Sequence, residues 1–162
     1  MDIIKLTGTD NYNLGDDLLY VSAYEILGRT EITFQVTIDS PRIRNIVQSF
    51  FGLEEATVLS NGVYSSSINV GGTLFSSKYR LRTKIGHTLG VRKIPFDEKS
   101  DIYISLGVDV NYFLRKISKN VFNQSRCVIV RDVESHIIIS KSIEYYKSHI
   151  LPDTVLGLKN RF

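Results

Sequence analysis

The sequence has one cysteine and no long apolar run, and these absences exclude several classes of protein. Cys127 is the single cysteine among 162 residues, so no disulfide can form within the chain. It lies in the apolar run CVIVR, which indicates a buried small hydrophobe rather than a redox or nucleophilic thiol. The apolar runs are far too short to cross a bilayer. The histidines are widely spaced, with no cysteine or histidine at ligand spacing, so no metal site is predicted.

Targeting and cofactor motifs are also missing. The N-terminal MDIIKLTG lacks the basic start and long apolar region of a secretory signal. We therefore expect a cytoplasmic protein, at most peripheral to a membrane. The sequence contains neither G-x-x-x-x-G-K-[ST] nor G-x-G-x-x-G, and no G-x-S-x-G elbow. Ordinary nucleotide, dinucleotide and hydrolase sites are thus without support, and no cofactor is predicted.

Charge is mild in sum and uneven in distribution. A net charge of +3 does not indicate a nucleic-acid partner. However, KYRLRTKIGHTLGVRK, residues 78–93, holds six lysines or arginines and no acid. In an extended conformation, Lys78, Arg80, Arg82 and Lys84 would share one face, which could meet phosphate or an anionic glycan. The alternative is an ordinary solvated surface or flexible loop.

Strand-like and helix-like segments alternate along the chain. Strands are predicted at 3–7, 31–38, 57–60, 67–70, 101–108 and 127–130, and helices at 15–27, 41–51, 111–122 and 133–147. Such alternation is typical of an α/β protein. We expect a single domain over residues 1–162, with a Rossmann-like, mostly parallel sheet and helices on both faces.

Ligands of open α/β sheets bind where the carboxyl ends of strands turn into helices. Three such turns are predicted here: NYNLGDD after the first strand, GGTLF after Val70, and RDVES after Val130. In a parallel sheet, all three would lie at one edge.

The first turn combines a glycine with amides and acids. Gly15 permits a tight turn, and Asp16 or Asp17 could cap the helix that follows. One cap needs one acid, so the other could bind a sugar hydroxyl or act as a base. Asn11 and Asn13 offer further donors and acceptors, although asparagine is also common in turns for local reasons.

The other two turns give weaker signals. Gly71 and Gly72 would let a ligand approach the backbone closely, or would serve turn geometry alone. Asp132 is a good N-cap, with Ser135 in the first helical turn. Arg131 could point into the cleft, or could brace the sheet edge by pairing with an acid.

The order of these pieces resembles the N-terminal half of the polysaccharide pyruvyl transferase family. The ordered motifs are N-x-N-x-G-D-D, G-G-T-L-F, R-D-x-E-S and L-P-D. The resemblance implies one half of a GT-B-like fold and transfer of a pyruvyl group from phosphoenolpyruvate to a sugar hydroxyl. The matching positions are Asn13, Gly15 and Asp16; Gly71 and Gly72; Arg131, Asp132 and Ser135; and Pro152 with Asp153.

The resemblance also implies roles and partners. Asp16 or Asp17 would be the catalytic or hydroxyl-binding acid, and binding is favoured because a helix N-terminus lowers the pKa of a carboxylate. The acceptor would be a glycan or a lipid-linked sugar. GVDVN, residues 107–111, departs from the glycine-rich run of the family.

A second domain would follow L-P-D in that family and hold most of the phosphoenolpyruvate site. We therefore expect the C-terminal domain to be absent from this chain, and a separately encoded one, or a homo-oligomer, to complete the cleft. The alternative hypothesis is a non-catalytic glycan-binding or scaffold subunit that uses the basic face.

Overall fold

A computed structural model describes residues 2–8, 14–30, 33–53, 58–59, 63–75, 100–108, 122–141 and 147–152. Strands and helices alternate up to residue 59 and again after residue 127, with strands alone among the described elements between them. In chain order they are β1 (Asp2–Thr7), α1 (Leu14–Gly28), β2 (Phe34–Ile38), α2 (Pro41–Phe51), β3 (Val58–Leu59), β4 (Ser66–Asn69), β5 (Gly72–Phe75), β6 (Ile102–Val108), β7 (Cys127–Val130), α3 (Val133–Ser140) and β8 (Ser148–Ile150).

The described strands form one parallel sheet in the order β3-β2-β1-β4-β6-β7-β8, with β5 also paired to β6. β4 faces the start of β6, where Ile68 pairs with Ile102, and β5 faces its end, where Gly72 pairs with Leu106. β4 and β5 are therefore two segments of one strand position. The chain winds outward from β1 to one side and from β4 to the other, as in doubly wound α/β folds.

Apolar residues cover both faces of this sheet. On β6, Ile102 and Ile104 pack against a cluster formed by β1, β2, β3, β4, α1 and α2. Tyr103, between them, points to the opposite face because strand side chains alternate, and its ring lies 5.0 Å from that of Phe122. α1 and α2 pack together, whereas α3 packs on β6, β7 and β8. The predicted α/β architecture is confirmed.

α2 shows how local sequence sets the limits of a helix. The Ser40 hydroxyl accepts a hydrogen bond from the Ile43 N–H at 3.3 Å, and Pro41 follows at the first helical position, where its missing N–H costs nothing. Gly52 ends the helix with a left-handed φ of 65°. Ile43 and Val47, one turn apart, are both fully buried, so the sequence prediction for 41–51 is confirmed.

Three sequence predictions need correction. GGTLF is not a strand-to-helix turn, because Gly72–Phe75 forms β5. The last helix ends at Ser140 rather than continuing to residue 147, and Ser148–Ile150 forms an unpredicted strand. The first helix already begins at Leu14.

Of two other predicted elements, one is shorter than expected and one lies almost entirely outside the described residues. β2 starts at Phe34, so it is shorter than the predicted strand over 31–38. The helix predicted at 111–122 falls, except for its last residue, outside the residues that the structure describes. Within the described ranges, every helix is too short or too polar to cross a membrane.

Candidate functional site

The carboxyl edge of the sheet brings together two of the predicted motifs. NYNLGDD follows β1 and RDVES follows β7, and both strands belong to one parallel sheet. Two strands, β4 and β6, separate β1 from β7. Three spacings of about 4.8 Å put the ends of β1 and β7 about 14 Å apart, a separation that a small ligand contacted from both sides could span.

The first motif is described from Leu14 onward; Asn11 and Asn13 lie outside the described residues. Gly15 is exposed in the first turn of α1. Asp16 and Asp17 also lie in this turn and not at the N-cap. Their negative charges at this end are favoured by the helix dipole.

Asp17 has a definite partner that the sequence did not suggest. Its two carboxylate oxygens accept hydrogen bonds of 2.7 and 2.9 Å from the two terminal nitrogens of Arg42 on α2. The side chains are only 14% and 23% exposed, respectively. This fork-to-fork pair ties the start of α1 to the first turn of α2. Asp17 therefore has a structural role, and its catalytic role stays a prediction.

Gly71 is required by packing at the junction of β4 and β5. Its φ is +83°, and a Cβ there would collide with the backbone carbonyl oxygen of Ile104. Its N–H donates a 3.1 Å hydrogen bond to Oδ1 of Asn69, whose side chain is buried. Gly72 pairs with β6. The observed role of Gly71 is thus close strand contact, and its predicted ligand contact is untested.

β6 is irregular at the same level. Ser105 is buried and has a φ of 54°, which is uncommon for a residue with a side chain. The register of β6 shifts on both sides, against β5 and against β7. Bulges and left-handed residues of this kind are frequent beside functional sites.

The third motif is built as predicted around the start of α3. Asp132 is the N-cap, and its Oδ1 accepts a 2.7 Å hydrogen bond from the Ser135 N–H. Ser135 is buried at 1% exposure. Asp132 and Ser135 therefore fix the direction in which α3 leaves the sheet.

Arg131 lies over the neighbouring strand. A Cβ built on Gly107, near the end of β6, would stand 2.8 Å from one terminal nitrogen of the Arg131 guanidinium. Its Nε is 3.9 Å from Asp132 Oδ2, and the side chain is 34% exposed. The loose pair with an acid is thus present, whereas the predicted contact of Arg131 with a ligand in the cleft stays a prediction.

A second polar cluster lies at the opposite, amino edge. The Asp101 carboxylate accepts a 2.8 Å hydrogen bond from the Ser67 N–H and longer bonds from the hydroxyls of Ser66 and Ser67. The Ser67 N–H is the main reason that the pKa of Asp101 is lowered, while partial burial opposes the shift. This cluster joins β6 to β4 far from the carboxyl edge.

Two groups that could do chemistry are unsuited to it. Cys127 is partly buried on β7, and burial raises the pKa of its thiol, which disfavours the reactive thiolate. His136 Nδ1 lies 2.9 Å from the hydroxyl of Ser148, but Ser148 is only 5% exposed. The pair links α3 to β8 rather than offering an accessible nucleophile.

The remaining predicted residues belong to the basic stretch and to the L-P-D motif. Lys78, Arg80, Arg82 and Lys84 lie outside the described residues, as does Asp153, whereas Pro152 is exposed. Across the described ranges, His, Cys, Asp and Glu form no group of three or more that could hold a metal ion.

Sequence reasoning missed Arg42 and Gly107. Arg42 looked like an ordinary surface residue of an amphipathic helix, and no local signal connects it with Asp17, which is 25 positions away. Gly107 did carry a signal, because a glycine inside a strand often marks a close approach by another group.

Comparison of the chain with protein-family models, curated proteins and solved structures finds no match. The fold, the carboxyl edge and its residues are therefore the basis for a function.

Proposed function

We propose that this chain is a pyruvyl transferase-like, Rossmann-like domain, one half of a GT-B-like architecture, that binds a sugar acceptor at the carboxyl edge of its sheet and contributes to a phosphoenolpyruvate site completed by a second domain. The observation that carries the proposal is that one turn with acidic residues and one turn with an arginine lie at the same edge of the sheet. The motif with Asp16 follows β1 and the motif with Arg131 follows β7. Ligands of doubly wound sheets bind at this edge, beside the point where the strand order reverses.

The reaction joins two hydroxyls of a sugar to C2 of the enolpyruvyl group. The bond between C2 and the phosphate oxygen breaks, one hydroxyl proton goes to C3 to form a methyl group, and the other leaves with inorganic phosphate. The product is a pyruvate ketal. The chain must therefore hold a polyanionic donor and orient neutral hydroxyls.

The residues of the edge divide these tasks by charge. Arg131 directly follows β7 and carries a positive charge at this edge. Its planar guanidinium can bind a carboxylate or a phosphate through two parallel hydrogen bonds. Asp16 would accept a hydrogen bond from an acceptor hydroxyl. Asp17 would keep α1 in place through Arg42. In this assignment Asp16 binds the acceptor rather than removing its proton.

The test is a pyruvylation assay with the full-length protein, phosphoenolpyruvate and a panel of glycan acceptors, including lipid-linked sugars. We expect phosphate release that depends on the acceptor, together with the mass increase of a pyruvate ketal on the glycan. Arg131→Ala should lower turnover at least about a hundredfold, because an anionic group loses its bidentate partner.

Arg126→Ala is the matched control. Arg126 precedes β7 at the opposite edge of the sheet and is 80% exposed, so its loss should leave turnover unchanged. An absence of turnover with every acceptor, alone and with a supplied second domain, would reject the transferase. Saturable glycan binding without turnover would instead favour the non-catalytic glycan-binding subunit.

A further inference from the structure

Gly107 lies near the carboxyl end of β6, in the middle of the sheet. Its neighbour Leu106 pairs with Gly72 of β5 on one side and with Val130 of β7 on the other. Gly107 itself is buried. A glycine inside a central strand weakens it relative to alanine, so its presence needs a reason.

Backbone conformation does not supply that reason. The glycines with positive φ in the described part of the chain are Gly8, Gly52 and Gly71. Gly107 is therefore in a conformation that residues with side chains also adopt. A side chain at this position would instead take the space that the Arg131 guanidinium occupies and would displace it.

The space is filled by the guanidinium of Arg131. A Cβ on Gly107 would lie 2.8 Å from Nη2, 3.0 Å from Nε and 3.1 Å from Cζ. Carbon atoms of real side chains do not approach other atoms at the shortest of these distances. Three atoms of the guanidinium plane thus rest directly over the α-carbon of Gly107.

This packing helps to orient the arginine. Asp132 is 3.9 Å from Arg131 Nε, beyond hydrogen-bond distance, and its other oxygen is bound to the Ser135 N–H. A free arginine side chain loses much of its rotamer freedom when it binds a ligand. A guanidinium already laid against the strand has less to lose on binding.

We propose that Gly107 is a positioning residue, whose missing side chain lets the Arg131 guanidinium lie over the end of β6 and bind the oxyanion, carboxylate or phosphate, of an anionic substrate. This inference rests on the proposed function for the identity of the substrate. Gly107 acts through Arg131 and has no contact of its own with the substrate.

The experiment is a double-mutant cycle on ligand affinity, measured by calorimetry with the full-length protein. The variants are Gly107→Ala, Arg131→Ala and the combination. The probes are phosphoenolpyruvate, inorganic phosphate and pyruvate, which separate binding of the phosphate from binding of the carboxylate. Each single substitution should raise Kd about tenfold or more, and Gly107→Ala should add less than about twofold once Arg131 is gone.

A merely structural glycine would behave differently. Its substitution would weaken binding by the same factor in both backgrounds, and that result would overturn the proposal. Gly28→Ala is the matched control, because a Cβ there meets no atom within 4 Å, and it should leave Kd unchanged.

A measurement on the unmodified protein covers the case in which Gly107→Ala does not fold. The NMR signal of the Arg131 Nε–H should shift saturably with the same probe that binds in calorimetry. No saturable binding of any probe, or a signal unmoved at saturation, contradicts the inference. Tight binding through Arg131 without pyruvylation would reject only the transferase activity. Pyruvylation together with additive effects of the two substitutions on Kd would reject only the role of Gly107.

Discussion

The two halves of the sheet differ in regularity. On the β1–β3 side, the described registers run without a shift, α2 is capped at both ends, and the Asp17–Arg42 pair joins the two helices. On the β6–β8 side, the register shifts twice along β6 and Ser105 has a positive φ. The first half is regular and serves as a scaffold, whereas the second half has a strained backbone near the edge where Arg131 lies.

Exposure of apolar side chains shows the same contrast between the helices. α2 buries Ile43 and Val47 completely. α3 buries Ile139 but leaves Val133 and Ile137 exposed at 60% and 49%. The local stability of a segment rises with the number of its buried apolar contacts, so α3 should unfold locally more readily than α2. The following predictions test this contrast, beginning with the largest expected effect.

Gly71→Ala should destabilise the protein by at least about 3 kcal/mol, because it adds a clash with the Ile104 carbonyl to the cost of a positive φ. Chemical denaturation measures this free energy. Gly52→Ala is the control, since Gly52 also has a positive φ but open space around it, and it should cost about 1 kcal/mol. Equal costs at the two sites would show that the junction of β4 and β5 is not tightly packed.

Ile43→Ala and Ile139→Ala form a matched pair, since both side chains are 0% exposed. Each should cost about 3 kcal/mol through lost burial and the cavity left behind. Hydrogen exchange should distinguish them. Ile139→Ala should accelerate exchange mainly in α3, β7 and β8, whereas Ile43→Ala should accelerate it throughout the sheet. Identical exchange patterns would contradict the division into a scaffold half and a looser half.

Asp17→Asn should cost about 1 to 2 kcal/mol, because it removes a charge-assisted bidentate pair that is largely shielded from solvent. Asp16→Asn should cost under about 1 kcal/mol, as a charge at a helix N-terminus does. In the pyruvylation assay the order should reverse, with Asp16→Asn losing more turnover. A larger loss of turnover for Asp17→Asn at unchanged stability would assign the catalytic role to Asp17.

Asp101→Asn should cost about 1 kcal/mol at pH 7, since the carboxylate accepts hydrogen bonds from Ser66 and Ser67. The lowered pKa of Asp101 means that this stabilisation is present above the pKa of the unfolded chain, near 4, and is lost as pH falls through the lower folded pKa. Denaturation from pH 7 to pH 2.5 should therefore show the two proteins converging in acid. Asp2→Asn, at an exposed position, serves as the control.

Local patterns predicted α2 in the first half and the start of α3 in the second half. The period of Ile43 and Val47 and the position of Pro41 located α2, and Asp132 was recognised as the N-cap of α3. These features depend on neighbours within one turn of helix, which a sequence displays directly. The candidate edge was predicted only in outline, because the chain order of the motifs indicates the edge but not which side chains meet there.

The wrong sequence predictions concern segments whose secondary structure depends on contacts with residues distant in the chain. GGTLF is a strand because β6 lies beside it to pair with Gly72 and Phe75, and without that partner its glycines indicate a turn. The strand Ser148–Ile150 likewise exists through its pairing with β7. β-structure depends on its partner strand, so short strands are the elements that a single sequence predicts least well.

The sequence by itself determined the alternation of strands and helices, the extent of α2, the N-cap of α3, and the position of two polar turns after β1 and β7. These follow from periodicity and from hydrogen bonds between near neighbours. Only the tertiary structure decided that Asp17 pairs with Arg42, that Gly71 packs on Ile104, and that Gly107 makes room for Arg131. Each of these joins residues more than 20 positions apart, and their approach is set by how the whole sheet and its helices pack.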